Sequence, residues 1–92
     1  MVQANNEREI RSEERLLSVF DRKTGAVVKD YKLANFDLAA FRNHFCVPDN
    51  DPLMYSQYQV SDVDLKFIVK YLPEGSDLDF ERFDYFVTCY QS

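Results

Sequence analysis

Tryptophan is absent from this 92-residue chain, histidine occurs once, cysteine and glycine twice each, and proline three times. Each scarcity removes a class of structure or chemistry. With two glycines fifty residues apart, Gly25 and Gly75, no glycine-rich loop can cradle a phosphate. So little Gly and Pro also excludes collagen-like and low-complexity chains. Acid–base catalysis near neutral pH usually recruits histidine, and His44 alone is available. His44 and Cys46 offer two zinc ligands and Cys89 a third, short of the four that a structural site takes. Asp49-x-Asp51 opens like a calcium loop, but Leu53 stands where the third oxygen should be, and no glycine or closing glutamate follows. No cofactor, metal or catalytic centre is therefore expected, and the protein is read as a non-enzyme. No apolar run follows Met1, so neither a leader nor a membrane span is expected. The expected compartment is the cytoplasm, where Cys46 and Cys89 are free thiols.

What is present is core-forming material. Apolar residues make up 46% of the chain and aromatics 15%, eight Phe and six Tyr, enough for one small domain. Residues 1–14 read as a polar N-terminal extension, of which the first twelve fray or extend a neighbouring strand. Residues 15–92 read as a single domain. The net charge is −5, unevenly placed. Residues 1–46 carry seven acids and eight bases, whereas residues 47–92 carry nine acids and three bases. Nine of the fourteen aromatics lie in that acidic half. Nucleic acid and anionic membranes are excluded as partners by sign. The asymmetry fits either a solvated acidic face over an aromatic core or a docking patch for a basic protein.

Periodicity supplies the elements. Residues 15–22 and 26–33 are β-rich runs around a link containing Gly25, the pattern of a hairpin. Leu17 and Val19 share one face of it, as do Val27, Tyr31 and Leu33. Residues 37–46 form a helix, capped by Asp37, stapled by Phe36 and Phe41, and facing the core with Leu38, Phe41 and Phe45. Residues 48–59 connect; they allow a helical turn at Asp51-Pro52 or an edge strand at Tyr58–Val60. A second helix opens with a capping box, Ser61 and Asp64, and stops at Pro73 and Gly75. Its core stripe is Leu65, Ile68, Val69 and Leu72, and a second stripe, Val63, Phe67 and Tyr71, lies opposite. Residues 78–90 read as a strand apolar on both faces, hence central. The predicted fold is α+β: a small, mostly antiparallel sheet in the order β-β-α-(β)-α-β with two helices on one face.

Three stretches carry a family likeness: Val19-Phe20-Asp21-Arg22-Lys23-Thr24-Gly25, Asp51-Pro52-Leu53-Met54-Tyr55 with Tyr58-Gln59-Val60, and Phe83-Asp84-Tyr85-Phe86-Val87. The chain resembles small bacterial immunity proteins that guard cells against contact-dependent growth inhibition toxins. The resemblance implies a role and no particular residues: an inhibitor that binds one cognate toxin domain. Many such toxins are basic nucleases, against which an inhibitor presents acid where nucleic acid would bind. The expected contacts, from charge and aromatic content, are Asp49, Asp51, Asp62, Asp64, Asp77, Asp79, Glu81 and Asp84, with Tyr55, Tyr58, Phe67 and Tyr71 as anchors. The alternative is a non-catalytic adaptor or homo-oligomerising domain that uses the second stripe of the second helix.

Overall fold

The computed structural model describes residues 13–91, and the expectation for residues 1–12 lies outside them. Four antiparallel strands form one sheet in the order β2-β1-β4-β3: β1 is Glu13–Asp21, β2 Val27–Lys32, β3 Tyr58–Val60 and β4 Phe83–Gln91. Helix α1 spans Leu38–His44. Helix α2, Leu65–Ile68, is extended by 3-10 turns at Asp62–Asp64 and Val69–Tyr71. The α+β architecture is the one the pattern predicts. The sheet begins two residues earlier than expected, since Glu13 and Glu14 belong to β1.

The hairpin closes through Asp21, whose carboxylate accepts from the Lys23 and Thr24 amides at 2.7 and 3.1 Å. Gly25 takes φ +76°, which a residue with a Cβ adopts at a cost. One expectation fails here. Val27 does not share a face with Tyr31 and Leu33, because the register between β1 and β2 shifts after Val19↔Lys29 to Phe20↔Val27. One extra residue reverses the parity of everything beyond it, and Val27 is exposed.

Leu17 and Val19 of β1, Tyr85 and Val87 of β4 and Val60 of β3 point to the helices and meet Leu33, Phe41, Met54, Ile68 and Leu72 in the core. The Asp37 cap accepts from the Ala40 amide at 3.1 Å, and Phe36 and Phe41 pack with ring centroids 4.4 Å apart, so cap and staple both form. The other sheet face carries Leu16, Ser18, Phe20, Phe86 and Thr88. There the Ser18 and Thr88 hydroxyls are 2.9 Å apart and Phe20 meets Phe86 edge-on.

The second helix is turned relative to its expected orientation. Ile68 and Leu72 are buried, but Leu65 and Val69 are 40% and 49% exposed, and Phe67 and Tyr71 face inward. Both rings pack on Phe41, at 4.9 and 4.8 Å. Aromatic rings bury more area than Leu or Val, and the flanking 3-10 turns advance 120° rather than 100° per residue, so the face read at helical period is rotated. The second stripe is therefore mostly core, with Val63 left outside. The last strand is shorter than expected. Asp79 holds residues 79–83 in a turn, its carboxylate accepting from the Glu81 and Arg82 amides and its carbonyl from the Phe83 amide.

Candidate functional site: an acidic groove at one end of the sheet

The C-terminal end of β1, the start of β4 and the end of β3 converge through the register Asp21↔Phe83 and Val60↔Tyr85. A groove of about 250 Å³ opens there, lined by Asp62, Glu81 and Asp84 together with Arg22, Gln59, Val60, Ser61, Phe80 and Phe83. Three of the eight expected carboxylates thus share one site. Three acids against one base give its wall a formal charge of −2. Arg22 Nε donates to Asp84 Oδ1 at 3.0 Å, so that base is already paired. Asp62 and Glu81 have no side-chain partner among the described residues. Asp79 sits at the base of the turn that presents Glu81.

The remaining expected contacts divide by use. Asp51 organises the connector: its carboxylate accepts from the Tyr55 amide at 2.8 Å, the Ser56 amide at 3.1 Å and the Tyr58 hydroxyl at 2.6 Å. The Tyr58 hydroxyl and the Tyr55 amide hold the Asp51 carboxyl below its ordinary range, and Asp51 in turn raises the Tyr58 phenol. The Tyr55 hydroxyl donates to Glu13 at 2.7 Å, which raises that phenol. The open alternative in the connector is settled: Tyr58–Val60 is a strand, and Asp51 begins a tight turn closed by Met54 N–H to the Asp51 carbonyl. Asp77 lines a separate, more apolar groove of about 350 Å³ with Leu65, Lys66, Val69 and Leu78. Asp49 is exposed. Phe67 and Tyr71, expected as anchors, are half-buried around Phe41, which leaves part of each ring at the surface.

Asp64 joins the two helices. Its Oδ1 lies 2.7 Å from His44 Nε2, and its Oδ2 accepts from the Ser61 amide and hydroxyl. His44 also stacks on Phe67 at 4.1 Å with the rings 4° from parallel. The carboxylate lies between hydroxyl and imidazole, an order in which the imidazole cannot deprotonate the serine. Among the described residues no three His, Cys, Asp or Glu side chains are grouped to hold a metal. Cys46 and Cys89 are unbridged, and burial raises the Cys89 thiol.

A family model matches residues 14–88, from the second residue of β1 to within β4, and so takes in every element described above. The chain belongs to the domains of unknown function DUF7683. No curated protein and no solved structure matches it. Membership in DUF7683 thus covers the fold and the groove together without assigning either an activity.

Sequence reasoning missed one groove residue of this DUF7683 chain, Arg22, and two residues that hold other parts of the fold, Arg15 and His44. Arg22 reads as the last residue of the first β-rich run, and its pairing with Asp84 spans sixty-two residues. His44 reads as a base on the second-last turn of the first helix, close enough to the C-terminus for the dipole alone to satisfy it; its partner comes from the other helix. Arg15 reads as the first residue of a strand run, and its burial was without any local signal.

Proposed function

We propose that this chain is an immunity-type inhibitor that binds and neutralises a cognate toxin domain, a basic nuclease by class, at the acidic groove. The observation that carries this reading is the pairing state of the groove. Asp62 and Glu81 present carboxylates without partners among the described residues, while Arg22 is already held by Asp84. A lysine- or arginine-rich surface gains from such a wall, and the charge speeds its approach. The half-buried Phe80 and Phe83 rings in the same wall supply apolar contact beside the charge, the arrangement of anchor and polar rim that protein interfaces use. The resemblance to contact-dependent growth inhibition immunity proteins supports the same role, as does the lack of any motif for catalysis. The proposed place of action is the cytoplasm; no helix of the described residues is long and apolar enough to cross a membrane.

The test is co-expression with the product of the neighbouring upstream open reading frame, assayed for toxicity. Co-purification and rescue of growth support the reading. A toxin that neither binds the chain nor is neutralised by it refutes it.

A further inference from the structure

Among the described residues the sheet has two edges. β3 is three residues long, whereas β2 offers six, Val27–Lys32, and pairs on one side with β1. Five of its six residues are exposed, Val27 and Val28 by more than half. An open edge of this length is a template for another strand. Which backbone groups face outward follows from the ladder. The Leu33 amide donates to the Arg15 carbonyl at 2.9 Å, so Lys29, Tyr31 and Leu33 bond toward β1 and Asp30 and Lys32 turn their N–H and C=O to the edge.

The geometry points to a second copy of this chain as the occupant, joined antiparallel through β2 in a single register. A two-fold axis perpendicular to the sheet keeps each residue on its own face in the partner. Paired positions must then have numbers of equal parity, and one residue must oppose itself. Five residues could stand at that centre. Val28 is excluded because the β-bulge falls there. Lys29, Asp30 and Lys32 are excluded because each would bring like charges face to face. With Tyr31 at the centre, Asp30 opposes the partner's Lys32 and Lys32 the partner's Asp30. These are the positions with outward backbone groups, so each pair can exchange both hydrogen bonds. The two Tyr31 rings meet in the closely spaced, non-hydrogen-bonded pair between them. The ladder ends there, since the Ala34 amide is held by the Tyr71 carbonyl. A contact of this size is weak and concentration-dependent. The lysines that guard the edge against indiscriminate pairing also select this register. The result is a continuous eight-stranded sheet (four strands from each copy) with all helices on one face. The acidic groove lies toward β3, at the other edge, so the inference stands whether or not a toxin binds there.

Sedimentation of the full chain over a range of concentrations tests the pairing. Asp30 and Lys32 are exposed, and the one ion pair they make among the described residues, Lys32 with Glu14 at 3.5 Å, is itself at the surface, so reversing their charges costs little stability. D30K and K32D should each weaken self-association by about tenfold, and the double variant D30K/K32D should restore it. The register is read by single cysteines in a C46S/C89A background. Oxidation should link Y31C to its own copy in preference to K29C or D30C. Absence of self-association, failure of the double variant to recover it, or stronger cross-linking at position 29 or 30 overturns the inference.

Discussion

Arg15 Nη1 donates a 2.9 Å hydrogen bond to the carbonyl of Met54, thirty-nine residues along the chain, and fixes the connector against the first strand. Nη2 of the same guanidinium donates to the Leu53 carbonyl, also at 2.9 Å, and reaches Glu13 at 3.4 Å. Phe36 lies under it at 4.7 Å and Tyr55 at 5.6 Å. The guanidinium fork spans two consecutive carbonyls of a turn in which Met54 adopts φ +57° although it is buried. A charge this deep is tolerated because its donors and ring contacts are satisfied together.

Removing that charge should therefore loosen the connector before the sheet. Arg15→Met leaves two carbonyls without their donor and should cost about 2–4 kcal/mol in urea unfolding. Arg15→Lys cannot span both carbonyls and should fall between. Limited proteolysis should move first to residues 48–57. A loss below about 0.5 kcal/mol would show that the contact is incidental.

The link between Asp64 and His44 gives a pH dependence of definite sign. Burial raises the Asp64 carboxyl, but the Ser61 amide and the His44 ring outweigh it, and the net displacement is downward. A carboxyl lowered in the folded state contributes stability above its unfolded pKa, about 3.9. That contribution is lost as pH falls through the lower folded value. Asp64→Asn should destabilise by about 1 kcal/mol at pH 7, and the gap should close as pH drops below about 4. An equal gap at pH 7 and pH 2.5 would rule the Asp64 carboxylate out as its source.

Helix α1 ends in a conformation that its sequence resists. Cys46 takes φ +53°, and the Val47 amide bonds the Arg42 carbonyl at 3.0 Å, the closure that favours glycine at this position. Cys46 is exposed, so its side chain has little packing to lose. Cys46→Gly should stabilise by about 1 kcal/mol, raising Tm by about 4–8 °C in a domain of this size. A lower Tm would mean that the thiol makes a contact worth more than the strain.

The local part of the fold was legible: the Asp37 cap, the Phe36–Phe41 staple, the Gly25 turn and the Ser61/Asp64 box are each set by residues within a few positions of one another. What escaped was settled at long range. Leu65 and Val69 carry the right period for a core stripe, yet Phe67 and Tyr71 win the inward face because Phe41, on another helix, offers aromatic contact. The acids of the C-terminal half look alike in sequence. Arg22, His44 and the Tyr58 hydroxyl separate those that hold the fold, Asp84, Asp64 and Asp51, from Asp62 and Glu81. The turned helix has its own test. Phe41→Ala should cost about 3–5 kcal/mol, and Leu65→Ala less than about 1 kcal/mol. Equal losses would restore Leu65 to the core.

That division of the acids also sharpens the test of function. Reversing Asp51, Asp64, Asp79 or Asp84 would disturb bonds that hold the connector, the helix pair, the turn or Arg22, so a loss of binding there says little about an interface. Asp62→Lys with Glu81→Lys changes the groove's charge by +4 and touches no side-chain bond among the described residues. The double variant should stay folded, its unfolding midpoint lowered only slightly by a lysine in the first turn of the second helix. Its association with a toxin domain should slow by at least tenfold at low salt, a difference that shrinks as ionic strength rises. Tyr71→Ala serves as the contrasting variant. Its ring packs on Phe41, so it should lower stability without changing the salt dependence of association. Unchanged binding by the Asp62/Glu81 variant, with lost binding by a correctly folded Tyr71→Ala protein, would move the interface from the groove to the helix face and leave the acidity as solvation.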